Sequence, residues 1–358
     1  MDFHGPSRST SLRDSLVARD IPVAQVDLVQ ETFDALVTAA FGRHLLVRNL
    51  AGEELKARPF GRGLSVVCGD RVRCRMDAST PAGGAQGGDF QALDARSRAP
   101  RGGGAEIHVL EVLPRTSCLY RSNARGGAEP VVANLSLLMV VIAPTPMPDL
   151  FVVDRYLSAA LSVAIPAILV LNKRELGVTP ELRADLDAFR AAGYDCAECS
   201  ARSDEGVGAL VDLCSGKVAT LVGQSGVGKS SLVHRLVPHA NVEVGELVRE
   251  EEGRHTTTAS RLFDLPRGGH LIDSPGVRDF APAIDMLGAA HLGFVEVARL
   301  APGCRFNDCR HMREPACAVR AAAESGAMSA RRYESYRRLR RLHEELIQSR
   351  GPTGRKTT

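Results

Sequence analysis

The spacing of apolar residues changes character along this chain of 358 residues. From 41 to 120 the apolar positions come in short runs rich in β-branched residues and broken by Gly, at 43–49, 64–67, 71–76, 107–113 and 117–120. Runs of that kind predict the strands of a small barrel or sandwich. The tract 79–104 is rich in Gly, Ala and Pro and carries too little apolar surface to order itself, which predicts a mobile loop. Residues 1–38 hold one weak helical pattern, Val26 through Phe33 to Leu36, and read as a peripheral extension. From Pro130 the runs become continuous, at 135–142, 167–171 and 218–222, with a shorter one at Leu271 and Ile272. Continuous apolar runs are the signature of parallel strands covered on both faces. Residues 151–164, between the first two runs, are amphipathic and helical. Strand alternating with helix predicts a doubly wound α/β domain with its ligands at the C-terminal strand ends. After His291 the chain is rich in Cys and His and then becomes a basic helix, 328–348. The expected division is an extension (1–38), a barrel domain (39–127), an α/β domain (128–288), a Cys/His segment with basic helix (289–349) and a tail (350–358).

Two motifs set the chemistry. Gly223-Gln224-Ser225-Gly226-Val227-Gly228-Lys229-Ser230 follows a predicted strand and precedes a helix starting at Ser231, the context of a phosphate-binding loop. Its glycines permit backbone dihedrals that aim N–H groups at phosphates, and the helix N-terminus adds its dipole. Lys229 is expected to reach the β- and γ-phosphates, and Ser230 to ligate Mg²⁺. Asn172-Lys173-Arg174-Glu175 closes the strand 167–171 and matches a base-reading tetrad, with a carboxylate to accept from guanine N1–H and N2–H₂. Glu175 stands where Asp is usual, which extends the acceptor by one methylene and leaves an ATPase as a weaker reading. Ser200-Ala201 matches the turn that supports guanine O6 with a backbone amide. The tetrad precedes the phosphate loop, the reverse of the ordinary GTPase order, so the fold is circularly permuted.

Asp273-Ser274-Pro275-Gly276 ends a strand with a DxxG pattern: Asp273 is expected to hold Mg²⁺ through water, and the Gly276 amide to meet the γ-phosphate. Gly253-Arg254-His255-Thr256-Thr257-Thr258 suits a mobile switch in which Thr257, or Thr256 beside it, ligates Mg²⁺ only with the γ-phosphate present. Val277 occupies the place where many GTPases carry a water-orienting Gln. His255 is the nearest substitute, because an imidazole positions water and titrates near neutral pH; a solvent-facing histidine without a role is the alternative.

Cys304, Cys309, His311 and Cys317 offer three thiolates and an imidazole within fourteen residues, a set suited to structural tetrahedral Zn²⁺. The chain has nine Cys, and residues 1–17 lack a signal-peptide pattern, so reduced thiols in the cytoplasm are expected. The apolar stretches are too short to span a bilayer. The net charge of +3 hides a basic segment at 41–76 and another at 331–358 around an acidic remainder. That asymmetry points to a polyanion contacted at two places, or to two solvated faces.

Together, the motif order, the Gly-Arg-His-Thr-Thr-Thr switch, the Cys-Arg-Phe-Asn-Asp-Cys-Arg-His segment, Val112-Leu113-Pro114-Arg115 and Asp154-Arg155-Tyr156-Leu157 closely resemble the ribosome small-subunit-dependent GTPase A family. The resemblance covers roughly 41–345. It implies an N-terminal OB-fold, a permuted P-loop GTPase domain and a C-terminal zinc domain. It also implies a GTPase that acts late in small-subunit maturation and is stimulated by the subunit. GTP or GDP, Mg²⁺ and one zinc ion are the implied ligands, held by Gly223 to Ser231, Asn172, Lys173, Glu175, Thr257, Asp273 and the Cys/His set, with His255 orienting water. The implied partners are the small subunit and its rRNA, with the protein a monomer that binds no membrane. The alternative is an RNA-binding sensor of guanine nucleotides with negligible turnover.

Overall fold

The computed structural model describes residues 32–61, 63–77, 106–122, 127–238, 260–278, 282–288 and 290–349. Five strands form the N-terminal barrel: β1 (Thr32–Phe41), β2 (His44–Asn49), β3 (Glu54–Pro59), β4 (Arg71–Asp77) and β5 (Glu106–Val112). β1 pairs with both β2 and β4, and β3 runs parallel to β5, so the ring closes with OB-fold connectivity. Val37, Leu45, Val47, Val72, Cys74 and Val109 fill its interior from alternate strand positions.

β1 is also the seam to the rest of the molecule. Its first half pairs with β4, its register against β2 slips between Val37 and Ala39, and beyond that bulge Ala39 and Ala40 pair with Arg261 and Ser260. An extra residue bends a strand and re-aims it, and here it passes β1 from one sheet to the next. Residues 32–38, which the apolar pattern gives to a weakly helical extension, are therefore strand. Pairing with two neighbours, β2 and β4, overrides the local preference. The rest of that extension and the tract 79–104 lie outside the described residues.

Two other expectations for the barrel are corrected. Residues 64–67 form no strand, because buried Asp70 accepts the Val67 N–H (2.8 Å) and Arg115 clamps Asp70 (2.7 Å) and the Ser65 carbonyl (3.0 Å). The barrel uses β3 instead, whose Glu-Leu-Lys-Ala-Arg-Pro has no β-branched residue to signal it. Residues 118–122 leave the barrel as β6 (Cys118–Ser122), which forms a separate hairpin with β7 (Ala128–Ala133).

Six further strands are β8 (Leu137–Ile142), β9 (Ala167–Leu171), β10 (Cys196–Glu198), β11 (Val218–Val222), β12 (Ser260–Asp264) and β13 (His270–Asp273). They lie in the order β10-β9-β8-β11-β13-β12, all parallel except β12. Every residue of β8 is buried: Leu138, Val140 and Ile142 join one apolar cluster, while Leu137, Met139 and Val141 join another. The two clusters are the two covered faces that a continuous apolar run predicts. Helices α1 (Leu150–Ser162) and α2 (Pro180–Ala192) pack on the first face; α3 (Val207–Cys214) and α4 (Lys229–Leu236) pack on the second. α2 shows why such segments start and stop where they do. The Thr179 hydroxyl accepts from Leu182 N–H, Pro180 opens the first turn, and Gly193 ends the helix at φ 109°.

After the short helix α5 (Pro275–Arg278), the C-terminal part is built from α6 (Val295–Leu300), α7 (Ala318–Glu324) and α8 (Ala330–Ser349). Phe294, Val297, Val319, Tyr336 and Leu339 form its core. A buried ionic knot fastens it to the α/β domain. Arg332, 1 % exposed, donates to Asp154 of α1 (2.6 Å) and to both carboxylate oxygens of Glu296, while Arg331 donates to Asp154 at 2.9 Å. Phe189, Tyr194 and Phe294 surround the Arg332 guanidinium at 4.9–5.3 Å. Two of the basic residues at the chain's C-terminal end are thus engaged within the protein. Arg332→Leu leaves two buried carboxylates without that cation and is expected to lower the unfolding free energy by about 3–5 kcal/mol. Urea denaturation checks it, and an unchanged midpoint would show the knot to contribute nothing.

Candidate active site and metal centre

β11 runs into the phosphate loop and α4 follows it, as the motif requires. Gly223, Gly226 and Gly228 have φ of 143°, 83° and 95°. Two of them also have no room for a side chain: a β-carbon at Gly223 would stand 2.2 Å from Val141 O, and one at Gly228 2.3 Å from Asn172 Nδ2. Val227, fully buried, pins the loop to the core, while Ser225, Ser230 and Ser231 are exposed. Lys229 folds back with its Nζ donating to Gly223 O (2.6 Å) and Gln224 O (2.7 Å), centring its charge within the loop. Successive amides, a helix N-terminus and an enclosed ammonium suit a polyphosphate.

The tetrad is joined to that loop by direct bonds. Asn172, 1 % exposed, donates from Nδ2 to Val227 O (2.9 Å) and accepts at Oδ1 from Ala201 N–H (3.0 Å). Lys173, at φ 60°, donates to Gly226 O (2.6 Å) and Thr145 O (3.0 Å). Glu175 is exposed, and a hydrogen bond from the Ser200 side chain holds its carboxyl below the usual range. Ionised at neutral pH, it keeps the double-acceptor character that guanine's two donors need. Arg174 is directed elsewhere: its guanidinium pairs with Glu205 at 2.8 Å, and only its backbone N–H serves the site, donating to Cys199 O.

Asp273 ends β13 beside the loop, with the strand braced by the Thr220 hydroxyl on Ile272 O (2.8 Å). Val277 is fully buried in the main core, so its position contributes packing and no polar group. His255, Thr256 and Thr257 lie outside the described residues. Two features were not read from the motifs. The segment after β8, with Pro144, Pro146 and Pro148, wraps the phosphate loop: Thr145 O receives Lys173, and Asp149, the N-cap of α1, donates its N–H to Gln224 Oε1 at 2.8 Å. Three prolines in five residues were the available signal for a rigid, non-helical strap. The other is the place of Arg121, the last residue of the 112–121 motif: paired with Glu129, it lies over Gly276, with Nη1 3.6 Å from where a β-carbon would stand.

The four ligand atoms of Cys304, Cys309, His311 and Cys317 all lie within 4.8 Å of one another. Cys304 and Cys317 sulfurs are 4.0 Å apart, and each is 3.4–3.5 Å from His311 Nδ1. Tetrahedral zinc sets S···S near about 3.8 Å and S···N near about 3.6 Å. The donor set and its spacing fit zinc, which when bound would cross-link a loop whose own apolar content is small. Glu314 organises that loop. Its carboxylate accepts the N–H groups of Arg310 (3.1 Å), Met312 (2.8 Å) and Arg313 (3.0 Å). Partial burial opposes its charge, but these bonds outweigh burial and hold its pKa at about 2.

Two outcomes follow from this geometry. Gly228→Ala puts a methyl group onto Asn172 at an unfavourable φ, and a fluorescent-nucleotide titration is expected to show at least about a hundredfold weaker binding. Glu314→Gln removes an ionised acceptor, costing about 1 kcal/mol once solvent screening is allowed for. The carboxylate's contribution is fully present above its unfolded pKa of about 4.5 and is lost as pH falls toward about 2. Unfolding of the variant and the parent at pH 7 and pH 3 should therefore differ less at the lower pH.

Comparison with known proteins places the chain. A family model described as RsgA GTPase matches residues 112–282. The small ribosomal subunit biogenesis GTPase RsgA of Pseudomonas syringae pv. syringae is 40% identical over 310 residues, covering 85% of this chain and 84% of that protein. The protein of the same name from Azotobacter vinelandii is 40% identical over 311 residues, covering 86% and 84%. YjeQ from Thermotoga maritima superposes with a TM-score of 0.61 at 23% identity, over 91% of this chain and 100% of that one. YloQ, described as a circularly permuted GTPase, gives 0.60 at 19%, over 88% and 96%. These two structures share the fold, and the two sequences share much more. By that identity over most of both lengths, the chain belongs to the RsgA GTPase family.

Proposed function

We propose that this protein hydrolyses GTP in response to the small ribosomal subunit, late in that subunit's maturation, binding rRNA in the GTP state and leaving after hydrolysis. The observation that carries the reading is the bonding of Asn172 and Lys173 to the phosphate loop, which makes one continuous cradle for a base and its phosphates. In this cradle Glu175 reads guanine, the Ala201 amide adds a bond to the base that it shares with Asn172 Oδ1, and the loop amides and Lys229 hold the phosphates. Ser230, Thr257 and Asp273 are the residues for Mg²⁺, which when bound would neutralise charge developing on the transferred phosphoryl group. With Val277 buried, the attacking water is left to His255, so hydrolysis is slow until the subunit stimulates it. Cys304, Cys309, His311 and Cys317 hold zinc. The basic stretches at 41–76 and 331–358 supply two regions of contact for rRNA phosphates. Among the described residues no helix is long and apolar enough to cross a membrane. The protein works as a monomer in the cytoplasm, where its partner is made.

Phosphate release from GTP and from ATP, with and without purified small subunits, tests the proposal. A slow rate specific to GTP should rise many-fold with subunits, and His255→Ala should cut the stimulated rate by about a hundredfold or more without weakening GTP binding. Equal use of ATP, or no response to subunits, would overturn it.

A further inference from the structure

Phenylalanine is normally an interior residue, yet Phe306 is 40 % exposed at the edge of the Cys/His cluster. It belongs to a four-residue loop, 305–308, anchored at its ends by Cys304 and Cys309 and solvent-exposed throughout. Arg305 donates its backbone N–H to Ala316 O (3.3 Å) and carries its guanidinium over the Phe306 ring, 5.5 Å from the centroid. In the chain the ring is flanked by Arg305, Asn307 and Asp308, all polar and exposed, whereas the core of a protein interface is apolar. An aromatic face framed by polar side chains instead matches a nucleobase, which offers a π-face to the ring, edges to Asn307 and Asp308, and phosphate to Arg305 and exposed Arg313, while Arg310 pairs with Glu344 at 3.5 Å.

We propose that Phe306, with Arg305 over its ring, is a stacking platform for an unpaired base of single-stranded RNA. The proposal deepens the proposed function and rests on its rRNA partner. A similar pair recurs on the barrel, where Phe60 is 55 % exposed under Arg75 at 5.1 Å. There Asp77 engages both Arg75 (2.8 Å) and neighbouring His108 (3.2 Å), which leaves less positive charge for a phosphate. The Cys/His loop is therefore the site assigned.

The chain has no tryptophan, so Phe306→Trp in the full-length protein places a single reporter at the platform. Its emission should be quenched by an unstructured oligouridylate and by small subunits, and not by polyphosphate, which has the charge without the bases. Leu161→Trp, 43 % exposed near the end of α1 and outside both basic stretches, should not respond to the oligonucleotide. Phe306→Ala should weaken oligonucleotide binding by about tenfold, Phe306→Tyr should restore it, and GTP affinity should be unchanged in both. No quenching at oligonucleotide concentrations that saturate binding by anisotropy overturns the proposal. So does a blue shift with subunits but no response to the oligonucleotide, which would assign the ring to a ribosomal protein. Failure of subunits to stimulate the parent chain counts against the proposed function, and the oligonucleotide arm still decides the stacking.

Discussion

The carboxamide of Asn172 is the point on which the nucleotide site depends. It lies inside the protein, where an amide left without partners costs several kcal/mol, and both of its ends are satisfied by backbone from other segments. One end fixes Val227 of the phosphate loop; the other fixes Ala201 of the turn after β10. Three loops from three parallel strands are thereby set at fixed distances, although the chain visits them in permuted order. The requirement for glycine at 228 follows from the same contact, since the amide occupies the space a methyl group would need. Asn172 is accordingly a strut first, with exposed Glu175 and the Ala201 turn set beside it.

The permutation itself is made possible by the sheet. β8 lies between β9 and β11, and its two apolar faces bury into opposite clusters, so the strands that deliver tetrad and phosphate loop are locked on either side of it whichever comes first in the chain. The barrel joins through the bulge in β1, which pairs with β12, itself paired with the strand that ends at Asp273. The barrel thus connects by backbone hydrogen bonds to the DxxG strand, a stiffer link than a tethering loop.

Motif position was legible in the sequence wherever backbone geometry or donor spacing demands one residue type: the loop glycines, Lys229, Asn172 and the Cys/His set all stand where their spacing implies. The continuous apolar runs likewise located β8, β9, β11 and β13, and an amphipathic pattern located α1. What stayed hidden depends on partners distant in the chain. β3 carries no β-branched residue and is a strand only because β2 and β5 flank it. Residues 64–67 have a strand's composition but lose their backbone to Asp70 and Arg115, forty-five residues apart. Arg174 sits inside the tetrad, yet Glu205 claims its side chain. In each case a pairing made by the fold outweighed a local preference worth tenths of a kcal/mol per residue.

α1 carries the longest-range consequence of these contacts. Its N-cap, Asp149, is bonded to Gln224 of the phosphate loop, and one turn later Asp154 enters the buried knot with Arg331 and Arg332 of α8. A single rigid helix therefore touches the phosphate end of the site and the Cys/His domain at once. Packed interiors transmit displacement because they lack free volume in which to absorb it. The contacts at its two ends give a shift of the loop a direct path to the base of α8, and a load on α8 the same path back. By linkage any such coupling is reciprocal: a partner that binds the C-terminal domain better in one nucleotide state must favour that state. The buried knot, which hydrophobic residues of the same volume would replace at little cost in stability, is in this arrangement a device for orientation.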